Sequence, residues 1–184
     1  MTTTTPTPRR TRAAKFVDHI AHAIATDRAA PRALASGLGP WREQQPPGPM
    51  HQYVAPWLPP GLHPSRQRAY YTVAALMSCA NRSGTGSRIS IGTALGHAST
   101  HMSPATTRHQ LNRLVRPNPD GPYADLRGAV RLTDNAGVPL DWARLLAELD
   151  SWHFDGPRTC TTWQQDYFRA IKQHDHHERS DDHD

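Results

Sequence analysis

The sequence predicts an all-α fold, a compact bundle of about seven to nine helices with disordered tails at both ends. Three observations carry this. Apolar residues recur mostly at helical spacing, which lines them up on one face of a helix. No convincing stretch alternates apolar with polar residues, as a half-buried strand would. Proline, glycine and serine fall at the ends of the periodic stretches, where helices start and stop.

In chain order, the first helix is expected from about Ala13 to Thr26, because Phe16, Ile20 and Ile24 share a face flanked by Val17 and Ala23. A short second helix begins near Pro31, a good first-turn residue, and stops at Gly37 or Gly39. From Pro40 to Pro64 eight prolines leave room only for a brief helical piece around 52–57. Ser65 is then expected to cap a long helix to about Ala80, so apolar through Tyr70, Tyr71, Val73, Ala74, Ala75, Leu76 and Met77 that it should be central. The stretch 82–88 reads as a Gly/Ser loop. Ser90 caps a short helix that Gly96 is expected to end.

Ser103-Pro104 opens the next helix, which turns Thr107, Leu111, Leu114 and Val115 inward and stops at Pro117. A further helix over 122–132 buries Leu126, Ala129 and Val130 and closes at the Asp134-Asn135-Ala136-Gly137 turn. The clearest stripe is Trp142, Leu145, Leu146, Leu149 and Trp152, read as one helix over 141–152. The last helix is expected after Gly156-Pro157, with Cys160, Trp163, Tyr167 and Ile171 on one side. Residues 1–12 and the His/Asp-rich 174–184 have little to bury, so they are expected as disordered tails around one helical domain over 13–173.

At 184 residues the chain is long enough for one domain with a real core. Its two cysteines, Cys79 and Cys160, stand too far apart for a disulfide framework or a zinc knuckle to be read from spacing. No apolar run approaches the roughly 18 residues that span a bilayer, and residues 1–12 lack the apolar core of a signal peptide. A cytoplasmic protein with no membrane partner is the expectation.

Charge is distributed unevenly. Residues 1–116 carry 14 Lys/Arg against 3 Asp/Glu, and residues 117–184 carry 7 against 13. Between Arg28 and Arg116, Glu43 is the single acid among ten arginines. Codon bias accounts for 19 Arg against 2 Lys but not for the scarcity of acids, and a surface so basic is fitted to a polyanion, most commonly nucleic acid.

The ordered segments Phe16-Val17, Tyr70 to Leu76, Ile89-Ser90-Ile91-Gly92-Thr93-Ala94-Leu95, Arg108 with Leu111 and Leu114, Leu140-Asp141-Trp142 with Leu145 and Trp152, and Trp163 with Tyr167 resemble the CasB family, the small subunit of the type I-E CRISPR Cascade complex. The resemblance spans roughly 13–171, and the order and separation of the segments make it specific. It implies an all-helical, non-catalytic subunit that packs with a second copy of itself beside the backbone and large subunits of Cascade. It also implies contacts with guide RNA and with the target and displaced DNA strands, stabilising the R-loop. Where the family usually places a basic pair late in its second helix, this chain has Ala35-Ser36 before Gly37-Leu38-Gly39, with Arg32 one turn earlier.

An accessory subunit of an RNA-guided complex needs only shape and charge, because base pairing reads the sequence. Arginine suits that role, since its planar guanidinium binds phosphate bidentately and stays charged. The candidate nucleic-acid-binding residues are Arg32, Arg42, Arg66, Arg68, Arg88, Arg108, Arg113 and Arg116, with Arg108 at a position that the family pattern marks. Tyr53, Trp57, Tyr70 and Tyr71 interleave with the basic stretch, but Tyr70 and Tyr71 belong to the most apolar helix and are expected in the core. The tail histidines His174, His176, His177 and His183 lack a rigid frame, so no metal site and no cofactor are expected. Scattered histidines without paired carboxylates in the basic part give no catalytic set.

Two other readings compete. A free-standing helical DNA-binding regulator would need a helix-turn-helix across 90–116, where the connection over 96–102 is longer than the usual turn. A metal-dependent hydrolase would have to draw on the scattered histidines.

Overall fold

The computed structural model describes residues 8–38, 48–80 and 89–181, with side chains over 11–38, 48–80 and 89–174. The Gly/Ser stretch 82–88, Arg42 and Arg88 lie outside the described residues. Among the described residues every regular element is helical. The α-helices are α1 (Pro8–Thr26), α2 (Ala30–Ala35), α3 (His51–Val54), α4 (Pro64–Cys79), α5 (Ile91–Ala98), α6 (Pro104–Leu114), α7 (Tyr123–Asn135), α8 (Trp142–Asp150) and α9 (Trp152–Asp181). Short 3-10 turns over Ser36–Leu38, Gly48–Met50 and Ala55–Trp57 extend α2 and flank α3. No helix among the described residues is long and apolar enough to cross a membrane.

The contacts divide the chain into two compact units, Met1–Thr85 with Trp142–Ser151, and Gly86–Asp141 with Trp152–Asp184. The first is built around α4, whose Ala69, Tyr70, Tyr71 and every residue from Val73 to Met77 are buried, as its apolar sequence requires. Helices α1, α2 and α8 pack on it. α1 contributes Phe16, Val17 and Ile20, and α8 contributes Trp142, Leu145, Leu146 and Leu149. The cap of α4 is His63 rather than the expected Ser65. Pro64 takes the first helical position and has no amide, so the first free N–H is that of Ser65, which donates to His63 Nδ1 at 3.3 Å.

In the second unit α5 lies directly against α9. Ser90 caps α5 as expected, its Oγ accepting from the Thr93 amide at 3.1 Å while donating to Asp166 of α9 at 2.7 Å. Gly96 does not end the helix, which continues to Ala98. Gly92 and Gly96 form the seam on which the backbones meet: a Cβ at Gly92 would stand 2.1 Å from the Trp163 carbonyl oxygen, and one at Gly96 2.7 Å from Ala170 Cβ. Helices α6 and α7 complete the unit, α7 closing at Gly137, whose φ of 71° suits glycine.

Other boundaries differ from the sequence reading as well, among them the end of α7, which runs to Asn135 rather than 132. α1 starts at Pro8, five residues early, at a residue that fits a first turn. α8 stops at Asp150, and Trp152 begins α9, because its indole N–H donates to the Asn118 carbonyl at 3.0 Å and its ring packs on Trp163 with centroids 5.6 Å apart. α9 therefore includes Gly156 and Pro157, and its backbone continues to Asp181, past Ala170, the last buried side chain described. Five residues, 99–103, separate α5 from α6.

Candidate nucleic-acid interface

In the first unit a cavity of about 660 Å³ opens between α2 and the turns around α3, lined by Arg28, Arg32 and Ser36 with Pro49 and Gln52 opposite. Arg28, Arg32 and Ser36 fall four apart, so α2 and the turn before it carry them as one stripe. The facing wall comes close because Gly37 has no side chain: a Cβ there would meet Met50 Sδ at 2.4 Å. Arg28 and Arg32 are both exposed, and neither makes an ion pair among the described residues. The neighbouring acid, Asp27, accepts instead from the Tyr53 hydroxyl at 2.6 Å and the Ala29 amide at 2.8 Å, which hold its carboxyl below the usual carboxylate range. The same hydrogen bond to Asp27 pushes the Tyr53 phenol up.

The other candidates of this unit are differently placed. Arg66 is locked to Asp150 of α8 by two parallel hydrogen bonds, Nε to Oδ1 at 2.8 Å and Nη2 to Oδ2 at 2.7 Å. The Asp150 side chain is only 5% exposed, so this fork satisfies a buried carboxylate, and the hydrogen bond to it raises the guanidinium further. Arg68 is half-buried on α4. Tyr53, Tyr70 and Tyr71 are buried and Trp57 half-buried, with Phe16 edge-on to both Tyr70 and Trp57, so these rings belong to the core.

In the second unit Arg108 and Arg116 are exposed without a carboxylate partner among the described residues, whereas Arg113 is paired with Asp125 of α7, Nε to Oδ1 at 2.7 Å. The Arg108 guanidinium sits over the Phe168 ring, 5.7 Å from its centroid. Arg127 and Arg131, four apart on α7, are also exposed, as is Arg158 on α9. None of these stands in the acid-poor part of the sequence, so the charge count that nominated the others passed over them. Of the eight nominated arginines, Arg32, Arg66 and Arg68 thus lie in one unit and Arg108, Arg113 and Arg116 in the other.

Sequence reasoning also missed Arg28 and Phe168. The four-residue spacing Arg28–Arg32–Ser36 was a readable signal for the first. The second was readable from its position: Trp163, Tyr167 and Ala170 are the buried stripe of α9, and an aromatic off that stripe must face outward. Among the described residues no group of three or more His, Cys, Asp or Glu could hold a metal ion.

The family profile of CRISPR-associated protein Cse2 matches residues 27–168. None of the curated protein sequences matches. Among solved structures, the chain is similar to a chain of a CRISPR RNA-guided surveillance complex at 27% identity and a TM-score of 0.80, covering 92% of this chain and 99% of that one. It is similar also to a chain of a CRISPR RNA-guided surveillance complex in a pre-nicking state, at 26% identity and a TM-score of 0.79, covering 92% and 98%. A Cse2-family protein from Thermus thermophilus shares the fold at 24% identity and a TM-score of 0.70, with 86% and 98% covered.

Proposed function

Because the chain belongs to the Cse2 family, also called CasB, we propose that it is a small, non-catalytic subunit of a type I-E Cascade surveillance complex that holds polynucleotide backbone by charge. The observation that carries this reading is the cavity lined by Arg28 and Arg32, two exposed guanidiniums that make no ion pair among the described residues. Exposed arginines held on a helical frame bind phosphate oxygens bidentately whatever the base sequence, which is what a partner of a guide–target heteroduplex needs. Arg32 stands one turn before Ala35-Ser36, so it supplies a positive charge near the place where the family usually has its basic pair. Arg28, Arg32, Arg108 and Arg116 are the residues assigned to backbone contact, while Arg66 and Arg113 have internal partners.

The partners in this reading are guide RNA, the target and displaced DNA strands, the backbone and large subunits, and a second copy of the chain, acting together to stabilise the R-loop. Co-expression of the full chain with its neighbouring gene products tests it. Affinity capture should bring down a complex containing RNA of defined length, and adding target duplex should open it more fully with this subunit than without. A chain that purifies alone and RNA-free from that co-expression, and leaves strand opening unchanged, would overturn the assignment.

A further inference from the structure

Thr107 of α6 and Tyr167 of α9 meet inside the second unit, both fully buried, with their hydroxyls 2.9 Å apart. The next residue of each helix emerges at the surface beside its counterpart. Arg108 lies over Phe168, whose ring stays 51% exposed. The buried hydroxyl pair thus fixes the register of the two helices and holds a phenyl face and a cation together at one spot. The ring is also steadied by Tyr167, edge-on at 5.2 Å.

An exposed phenylalanine most often marks a protein contact, but such contacts use contiguous apolar surface. Here the surroundings are polar and cationic. On α9 the exposed residues within a turn are Gln164, Gln165, Arg169 and Lys172. The acid between them, Asp166, accepts from Ser90 at 2.7 Å and pairs with Arg169 at 3.4 Å, which leaves Arg108 and Lys172 as the cations without a carboxylate partner among the described residues. The other large apolar side chain exposed among the described residues is Phe154, 14 positions back and so about 21 Å away along the helix. A lone π face next to a guanidinium, in a basic neighbourhood, suits an unpaired nucleobase that stacks on the ring while the cation takes the adjoining phosphate.

We propose that Phe168, with Arg108, is a stacking platform for a base of single-stranded nucleic acid. This rests on the nucleic-acid reading above and adds to it a contact that feels bases as well as charge. The test measures binding of the full chain, by fluorescence anisotropy, to a labelled oligothymidylate and to an abasic strand of equal length. The wild-type chain binds the base-bearing strand more tightly. Phe168→Ala weakens that strand about tenfold and leaves the abasic strand unchanged, so the preference disappears while the salt slope stays. Phe168→Trp keeps the preference and Phe168→Leu loses it, which separates a π face from mere apolar bulk. Arg108→Ala weakens both strands and flattens the slope.

Equal affinity of the wild type for both strands, or an equal loss on both in Phe168→Ala, overturns the platform but leaves the charge-based reading standing. No binding of either strand by the wild type overturns the nucleic-acid reading itself. Loss of capture with the neighbouring gene products in Phe168→Ala, with strand binding intact, makes the ring a protein anchor and also overturns the platform.

Discussion

Arg32 and Arg66 lie in the same unit and were nominated by the same criterion, yet their surroundings differ completely. Arg32 stands exposed beside Arg28 along an open cavity and makes no ion pair among the described residues. Arg66 is clamped in a fork onto Asp150, 84 positions away in sequence. A scarcity of acids nearby in the chain therefore says little about acids nearby in space. The acidic C-terminal part supplies structural partners, Asp150 for Arg66 and Asp125 for Arg113, and so ties up two of the candidate arginines internally. Which guanidiniums remain available is decided by helix packing.

The sharpest way to break that contrast is to remove Arg66. Arg66→Ala leaves the Asp150 carboxylate buried and unpaired and is expected to cost about 3 kcal/mol of stability, at the low end for a buried pair because the guanidinium is partly in water. Urea denaturation reads this directly. Replacing both partners together, Arg66→Met with Asp150→Leu, is expected to recover most of the loss, since no charge is then left stranded. A full-stability Arg66→Ala with weakened strand binding would move Arg66 to the interface and erase the distinction.

The opposite signature is expected at the cavity. Arg28→Ala and Arg32→Ala should each leave the unfolding midpoint within about 0.5 kcal/mol of wild type, as surface changes usually do. Each should nevertheless flatten the dependence of single-strand affinity on log salt by about 0.7. Titrations across a salt series check both arginines. A lowered midpoint with an unchanged slope would class them with Arg66.

Local features of the fold were legible and long-range ones were not. The apolar run of α4, the Ser90 cap and the brief helix inside the proline-rich connector each follow from a few adjacent residues, and the structure has them. Trp152 shows the limit. It continues the spacing of Trp142, Leu145 and Leu149, so the stripe reads as one helix. The break after Asp150 arises from the Asn118 carbonyl and the Trp163 ring, and nothing in the local sequence announces either. Gly96 fails in the same way, because a glycine that would stop an isolated helix is kept inside α5 by the closeness of α9. For the candidate arginines, the scarcity of acids along the chain does not separate those in an ion pair from those without one among the described residues, and Arg28 and Phe168 become candidates only when helical spacing is applied to polar and off-stripe positions.

The contrast weakens at Arg113, which is paired but far more exposed than Arg66, at 48% for its own side chain and 22% for that of Asp125. Arg113→Ala is expected to cost no more than about 1 kcal/mol, the range of surface pairs, and that cost should shrink in high salt. A chemical-denaturation series at low and high ionic strength separates it from Arg66, whose loss should be nearly salt-independent.

The smallest expected effect concerns the acid beside the cavity. Asp27 precedes Arg28, yet its carboxylate accepts from the Tyr53 hydroxyl and the Ala29 amide, and these hold its folded-state carboxyl below the ordinary value. A group depressed in the folded state stabilises it above its unfolded pKa and loses that contribution as pH falls through the folded value. The melting-temperature gap between wild type and Asp27→Asn should therefore be widest near neutral pH and close on acidification. Removing the negative charge also makes the electrostatic potential around Arg28 and Arg32 more positive, so the variant should bind single strands slightly more tightly at neutral pH while melting earlier. If it instead bound more weakly, Asp27 would be positioning the arginines through the Tyr53 contact, and the cavity would depend on its acid neighbour as Arg66 depends on Asp150.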